Sequence, residues 1–197
     1  MKRVGLTGGI GSGKTYVSYF FERQDIPVFN VDEITKAMME TDISVMNSVI
    51  GIFGKESYID GKLNKPHIAN ILFSNKTARI SLHNVLILPL TEQLDDWYEG
   101  LEELKCDIAI VECAILFEMK MESMFDHIIH IWAPEDVRIT RVIERNSITE
   151  KEVKKRISCQ MDESKKMDMA DFIIDNSGNK DLKTQVNFVI KSIRDGK

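Results

Sequence analysis

Residues 5–16 read GLTGGIGSGKTY, and their types and spacing suit a grip on phosphate. Gly8, Gly13, Lys14 and Thr15 satisfy G-x-x-x-x-G-K-[ST], the phosphate-cradling P-loop pattern. A nucleotide triphosphate brings several negative charges that need many donors in a small volume. Glycines let the backbone fold tightly, so that successive N–H groups point inward at such a group. A helix starting near Gly13 adds its unpaired N–H groups and the positive end of its dipole. Lys14 then reaches the β- and γ-phosphates, and the Thr15 hydroxyl ligates magnesium.

Such a loop usually has an acidic partner at the end of another strand, holding magnesium directly or through water. Glu112, after the apolar run DIAIV, is the best-placed residue, with an ordinary polar strand end as the alternative. Asp32 lies just beyond a second strand, where open α/β sheets present groups to the ligand crevice. A carboxylate there orients an acceptor hydroxyl and takes its proton, or else caps the helix that follows. Arg138, Arg141 and Arg145 are spaced by three and four, so on a helix they share one face. Together with Lys151, Lys154, Lys155 and Arg156 they either close over a nucleotide and neutralise the transferring phosphoryl group, or form a solvated face paired with Glu135, Glu144 and Glu152.

The surrounding pattern must position these groups. Lys2–Thr7 reads as a short buried strand ended by the glycine loop, and Val17, Phe20 and Phe21 mark a helix from Gly13 to about Arg23. Ile26–Phe29 is a second strand, and a helix begins near Val31, with Asp32 and Glu33 in its first turn. From Thr41 to about Trp97 the chain reads as mainly helical, over Ser44–Phe53, Lys65–Phe73 and a longer segment from Ala78 past Leu94. Asp107–Val111 and His127–Trp132 are strands. Pro134 at a first helical position opens a helix to about Arg145, Thr149 with Glu152 forms a capping box, Phe172–Ile174 is a strand, and Asp181–Ile193 is a closing helix. Strands alternate with helices, as a doubly wound parallel sheet requires. The predicted class is α/β, a P-loop NTPase-type sheet with an inserted helical subdomain and a helical lid. We expect a core of residues 1–31, 105–135 and 170–197, an insertion at about 32–104 and a lid at about 136–165.

Bulk properties narrow the function. The 197 residues suffice for a sizeable core, and 43% hydrophobic with 29% charged residues is ordinary for a globular protein. A net charge of −5 gives no global attraction to nucleic acid or an anionic membrane, so an anionic ligand needs a local cluster. Cys106, Cys113 and Cys159 have neither zinc nor disulfide-framework spacing and read as thiols in a reduced compartment. The apolar stretch after Met1-Lys2-Arg3 is too short for a signal peptide or a membrane span, so a cytoplasmic protein is expected. The chain contains no N-K-x-D motif, which argues against a GTP switch. A small P-loop kinase fits best.

The run GLTGGIGSGKT, then VFNVDEITK, GKLNKPHIANILFSN, AILFE, RITRVIERNSITEKEVKKRISCQ and ADFIIDNSG resemble, in the same order, the dephospho-CoA kinase family. That resemblance implies transfer of the ATP γ-phosphate to the ribose 3′-hydroxyl of dephospho-CoA, giving CoA and ADP. It also implies a nucleotide core, a helical CoA-binding subdomain and a lid. By the same likeness Gly11, Ser12, Gly13, Lys14, Thr15 and Tyr16 line the ATP phosphates, Asp32 is the base, and Arg141 and Arg145 are lid arginines. The chain departs from the family where D-A-D becomes Asn30-Val31-Asp32, His-Pro becomes Leu88-Pro89, and P-L-L-F-E becomes Ala114–Glu118. These changes fall on the acceptor side. Alternative readings are a kinase for another small acceptor, such as a nucleoside monophosphate, and an ATP-binding protein without catalysis.

Overall fold

The structure is a computed structural model and describes residues 1–196. The chain opens with β1 (Lys2–Thr7), α1 (Lys14–Glu22), β2 (Val28–Asn30), α2 (Val31–Thr41) and α3 (Ile43–Phe53). A hairpin of β3 (Tyr58–Ile59) and β4 (Lys62–Leu63) precedes α4 (Lys65–Ser74) and the 28-residue α5 (Lys76–Glu103). There follow β5 (Ile108–Glu112), β6 (His127–Trp132), α6 (Glu135–Asn146), α7 (Glu150–Ile157), α8 (Glu163–Met169), β7 (Phe172–Asp175) and α9 (Leu182–Arg194).

Five strands form one sheet in the order β2-β5-β1-β6-β7, and every neighbouring pair in it is parallel. All five residues of β5 are buried, as a strand covered on both faces requires, and its near-continuous apolar run has the same cause. Val4, Leu6, Ile110, Ile129, Ile131 and Ile174 from the sheet join Val17 and Phe21 of α1 and Val186 and Ile190 of α9 in one core. The sheet's central strand, β1, is the one that runs into the glycine loop.

Two compact units emerge, one from Met1–Asn30 with the chain from Gly100 onward, the other from Val31–Glu99. Within the second, α2 and α3 bury Met38, Val45, Val49 and Phe53. Tyr58 Oη donates to the Met39 carbonyl at 2.7 Å, and a His67 ring nitrogen lies 2.8 Å from the Phe53 carbonyl oxygen. Asp42 caps α3 by accepting from the N–H groups of Ser44 and Val45. Along α5, Leu82, Leu86, Leu90, Leu94 and Tyr98 recur every fourth residue and are all buried.

Three local expectations change. Pro134 stands outside α6 as its N-cap, with φ −54° and ψ 146°, and Glu135 is the first helical residue. The extended ψ suits the residue before the helix, not one within its first turn. The β3–β4 hairpin interrupts a stretch read as mainly helical. Helix α8 has no counterpart in the sequence reading, although Asp162 caps it by accepting from Ser164 and Lys165 N–H.

Candidate active site

The glycine loop spans the gap between β1 and α1 at the carboxyl end of the central strand. Gly13, at φ 87°, is the N-cap of α1 and has no side chain to occupy the helix's first N–H groups. Lys14 is only 8% exposed, and its ammonium donates to the Gly8 carbonyl oxygen at 3.1 Å, drawn in over the loop. The Ser12 hydroxyl is buried without a hydrogen-bond partner among the described residues. A buried orphan hydroxyl beside an ammonium, at a helix N-terminus with no side-chain cap, suits an anion with many acceptor oxygens.

Glu112, 4% exposed, forms the second part of the site. Parallel pairing sets Leu6, Glu112 and Asn30 in one row across the ends of β1, β5 and β2. The Glu112 carboxylate accepts from Thr15 Oγ1 at 3.0 Å, from Ser18 Oγ at 3.1 Å and from Asn30 Nδ2 at 3.4 Å. Thr15 and Ser18 are one turn apart on α1, so both hydroxyls face the same strand end. By accepting the Thr15 proton, the carboxylate leaves the hydroxyl's lone pairs free for a cation. Hard oxygens from a hydroxyl and a carboxylate fit magnesium, which takes much of its coordination from water and substrate phosphates. Among the described residues no group of three or more His, Cys, Asp or Glu side chains could hold a metal ion.

Downstream chain moulds the back of the loop. Asn176 Nδ2 donates to the Ser12 carbonyl at 2.7 Å, and Arg141 donates to the Asn176 carbonyl at 2.9 Å and to Ser12 O at 3.5 Å. Arg138 is buried, and its guanidinium donates to Glu163 at 3.1 Å. A side chain on Gly9 would strike that guanidinium, which fixes the need for glycine there. His130, fully buried on β6, pairs with the other Glu163 oxygen at 2.7 Å.

The arginine row of the sequence therefore divides. Arg138 is a buried structural ion pair, Arg141 rests on the Asn176 carbonyl and on that of Ser12 in the phosphate loop, and Arg145 is exposed and donates to Asn146 at 2.8 Å. Tyr16 is 59% exposed and meets Phe20 edge to face. Asp32 is exposed in the first turn of α2, in the unit that begins at Val31. Sequence reasoning assigned no role to Ser18, Asn176 or Glu163; Ser18 left a signal one helical turn beyond Thr15, and Asn176 left one inside the run ADFIIDNSG.

Burial works against ionisation of Glu163. The His130 hydrogen bond and the charges of Arg138, His130 and Lys166 outweigh it and hold this carboxyl below its ordinary pKa. A folded pKa below the unfolded one contributes stability that is complete above the unfolded carboxylate value, about 4.3, and is lost as pH falls through the lower folded value. Glu163→Gln should therefore melt below wild type at neutral pH, with the gap closing as pH drops under about 4. Thermal melts of both proteins between neutral and acid pH check this; a gap independent of pH would contradict it.

A parallel sheet with the phosphate loop leaving its central strand, and a buried acid from the adjacent strand on the loop's threonine, defines a P-loop kinase-type nucleotide-binding protein. A family model described as dephospho-CoA kinase matches residues 2–181, and the chain belongs to that family. A Bacteroides fragilis dephospho-CoA kinase is 33% identical over 184 residues, covering 93% of this chain and 89% of its own. A crystal structure of a Thermus thermophilus protein superposes with a TM-score of 0.81 at 25% identity, over 97% of this chain and 96% of that one. The fold is shared with a dephospho-CoA kinase from Campylobacter jejuni, with a TM-score of 0.68 at 22% identity over 98% of each chain.

Proposed function

We propose that this chain transfers the γ-phosphoryl group of ATP to the ribose 3′-hydroxyl of dephospho-CoA, forming CoA and ADP, with magnesium and in the cytoplasm. The observation that carries this reading is the family match across residues 2–181 on a chain whose phosphate loop is intact and whose Thr15 hydroxyl is engaged by a buried Glu112. No helix of the described residues is long and apolar enough to cross a membrane.

In this reading the amides of Gly11, Ser12, Gly13, Lys14, Thr15 and Tyr16 bind the phosphates, and the Lys14 ammonium leaves the Gly8 carbonyl for the β- and γ-phosphate oxygens. Thr15 and Glu112 would hold magnesium, which would supply charge neutralisation on those phosphates. Asp32 accepts the proton of the 3′-hydroxyl as that oxygen bonds to the γ-phosphorus; the bond to the β–γ bridging oxygen breaks and ADP departs. Arg141 and Arg145 neutralise charge on the transferring group. The helical unit supplies acceptor contacts, and the α6–α7 segment excludes water so that hydrolysis does not compete.

The test is ADP formation with and without dephospho-CoA, against a panel that includes nucleoside monophosphates. Turnover that requires dephospho-CoA supports the reading, whereas turnover on another acceptor, or ATP binding without turnover, replaces it. Asp32→Asn should lower kcat by about 10²–10⁴-fold, the usual worth of a general base, with ATP affinity nearly unchanged. Full rate at saturating substrates would remove Asp32 from the role of base.

A further inference from the structure

Ile10 lies in the middle of the phosphate loop and is held at both ends by chain far downstream. Its side chain packs on Ile139, Val142 and Val153, a cluster completed by Ile143, Ile148 and Ile157 from α6, α7 and their connection. Its N–H donates to Gln160 Oε1 at 2.8 Å. The other end of the same carboxamide, Nε2, donates to the Ala114 carbonyl at 3.3 Å. One side chain thus ties the loop, the turn after α7 and the segment after β5 together. An amide does this because it carries an acceptor and a donor at once; glutamate offers only acceptors, and leucine neither. The turn bearing Gln160 is itself anchored: Met161 N–H donates to Glu118 Oε1 at 2.7 Å, and the buried Lys166 ammonium stands 2.7 Å from that oxygen.

We propose that Gln160, acting through Ile10, is a positioning residue for the phosphate loop and couples its occupancy to the folding of the α6–α7 pair. Gln160 fixes the backbone at position 10, and so sets the line of the amides that follow at Gly11, Ser12 and Gly13. The loop presents those amides only while α6 and α7 are packed, because the Ile10 side chain is part of their hydrophobic cluster. Such coupling is reciprocal: nucleotide in the loop must steady α7 by the same free energy with which packed α7 favours nucleotide. The inference rests on nucleotide binding by this loop.

The experiment titrates ADP into wild type, Gln160→Leu, Gln160→Glu and Ile10→Ala by calorimetry, and follows amide hydrogen exchange of Glu150–Ile157 with and without ADP. Gln160→Leu should weaken ADP binding about tenfold, the scale of one lost hydrogen bond that leaves a donor unpaired. Gln160→Glu keeps the acceptor for Ile10 and should recover part of that loss. ADP should slow exchange in α7 of the wild type and do so far less in Gln160→Leu. A lowered melting temperature with wild-type ADP affinity would make Gln160 merely structural and overturn the proposal; so would undiminished protection of α7 by ADP in the variant. Should Gln160→Leu not fold, Ile10→Ala and Gln160→Glu decide by the same two readouts. A wild type that does not bind ADP would instead overturn the nucleotide reading itself, and the coupling with it.

Discussion

Lys14→Ala is expected to lower kcat by about 10²–10³-fold, the usual loss when one donor aimed at transition-state charge is removed. The Lys14 ammonium is nearly enclosed and within 3.1 Å of the Gly8 carbonyl, so its position is set by the loop before any ligand arrives. The Gly8 oxygen is neutral, whereas phosphate oxygens carry full charge, so a contact made to them strengthens as negative charge builds during transfer. The loss should fall mainly on kcat, with the amides still gripping nucleotide. Lys14→Arg should not restore the rate, since a planar fork cannot occupy the space of a compact ammonium. Steady-state ADP formation at saturating dephospho-CoA measures it. A rate within a few-fold of wild type would show that the lysine does not touch the transferring phosphate.

Gly11→Ala should be the most damaging single methyl group in the loop. The residue has φ 80°, which costs an L-residue about 1–2 kcal/mol. Its Cβ would also collide with the Arg138 backbone carbonyl and approach Val142 Cγ2 to 2.9 Å. A backbone atom of α6 cannot swing aside as a side-chain tip can, and overpacking of this kind costs about 1–3 kcal/mol. Together the two effects predict a melting temperature lower by roughly 5–15 °C for a chain of this size, and nucleotide affinity lost with the loop's shape. Calorimetric melts and ADP titration check both. Unchanged stability would mean that the loop does not sit against α6 as described.

By itself the sequence determined the local elements and the identity of the phosphate loop. Hydrophobic runs set off β1, β5 and β6, the Thr149–Glu152 capping box starts α7, and the spacing from Gly8 to Thr15 names the chemistry, all through interactions a few residues in reach. Glu112 was legible as a candidate because a polar residue ending an apolar strand is a short-range pattern. Only the tertiary structure decided that its carboxylate is shared by Thr15, Ser18 and Asn30, which lie 82 to 97 positions away and meet it through the order and register of the sheet. The arginines of α6 were equivalent by spacing, yet one is buried on Glu163, one lies against the carbonyls of Asn176 and Ser12 and one stays in solvent. Helical periodicity states that three charges share a face; what that face meets depends on distant chain, here Glu163 of the unrecognised α8 for Arg138 and the turn at Asn176 for Arg141. Local spacing encodes which groups exist, and packing alone assigns each charge its partner.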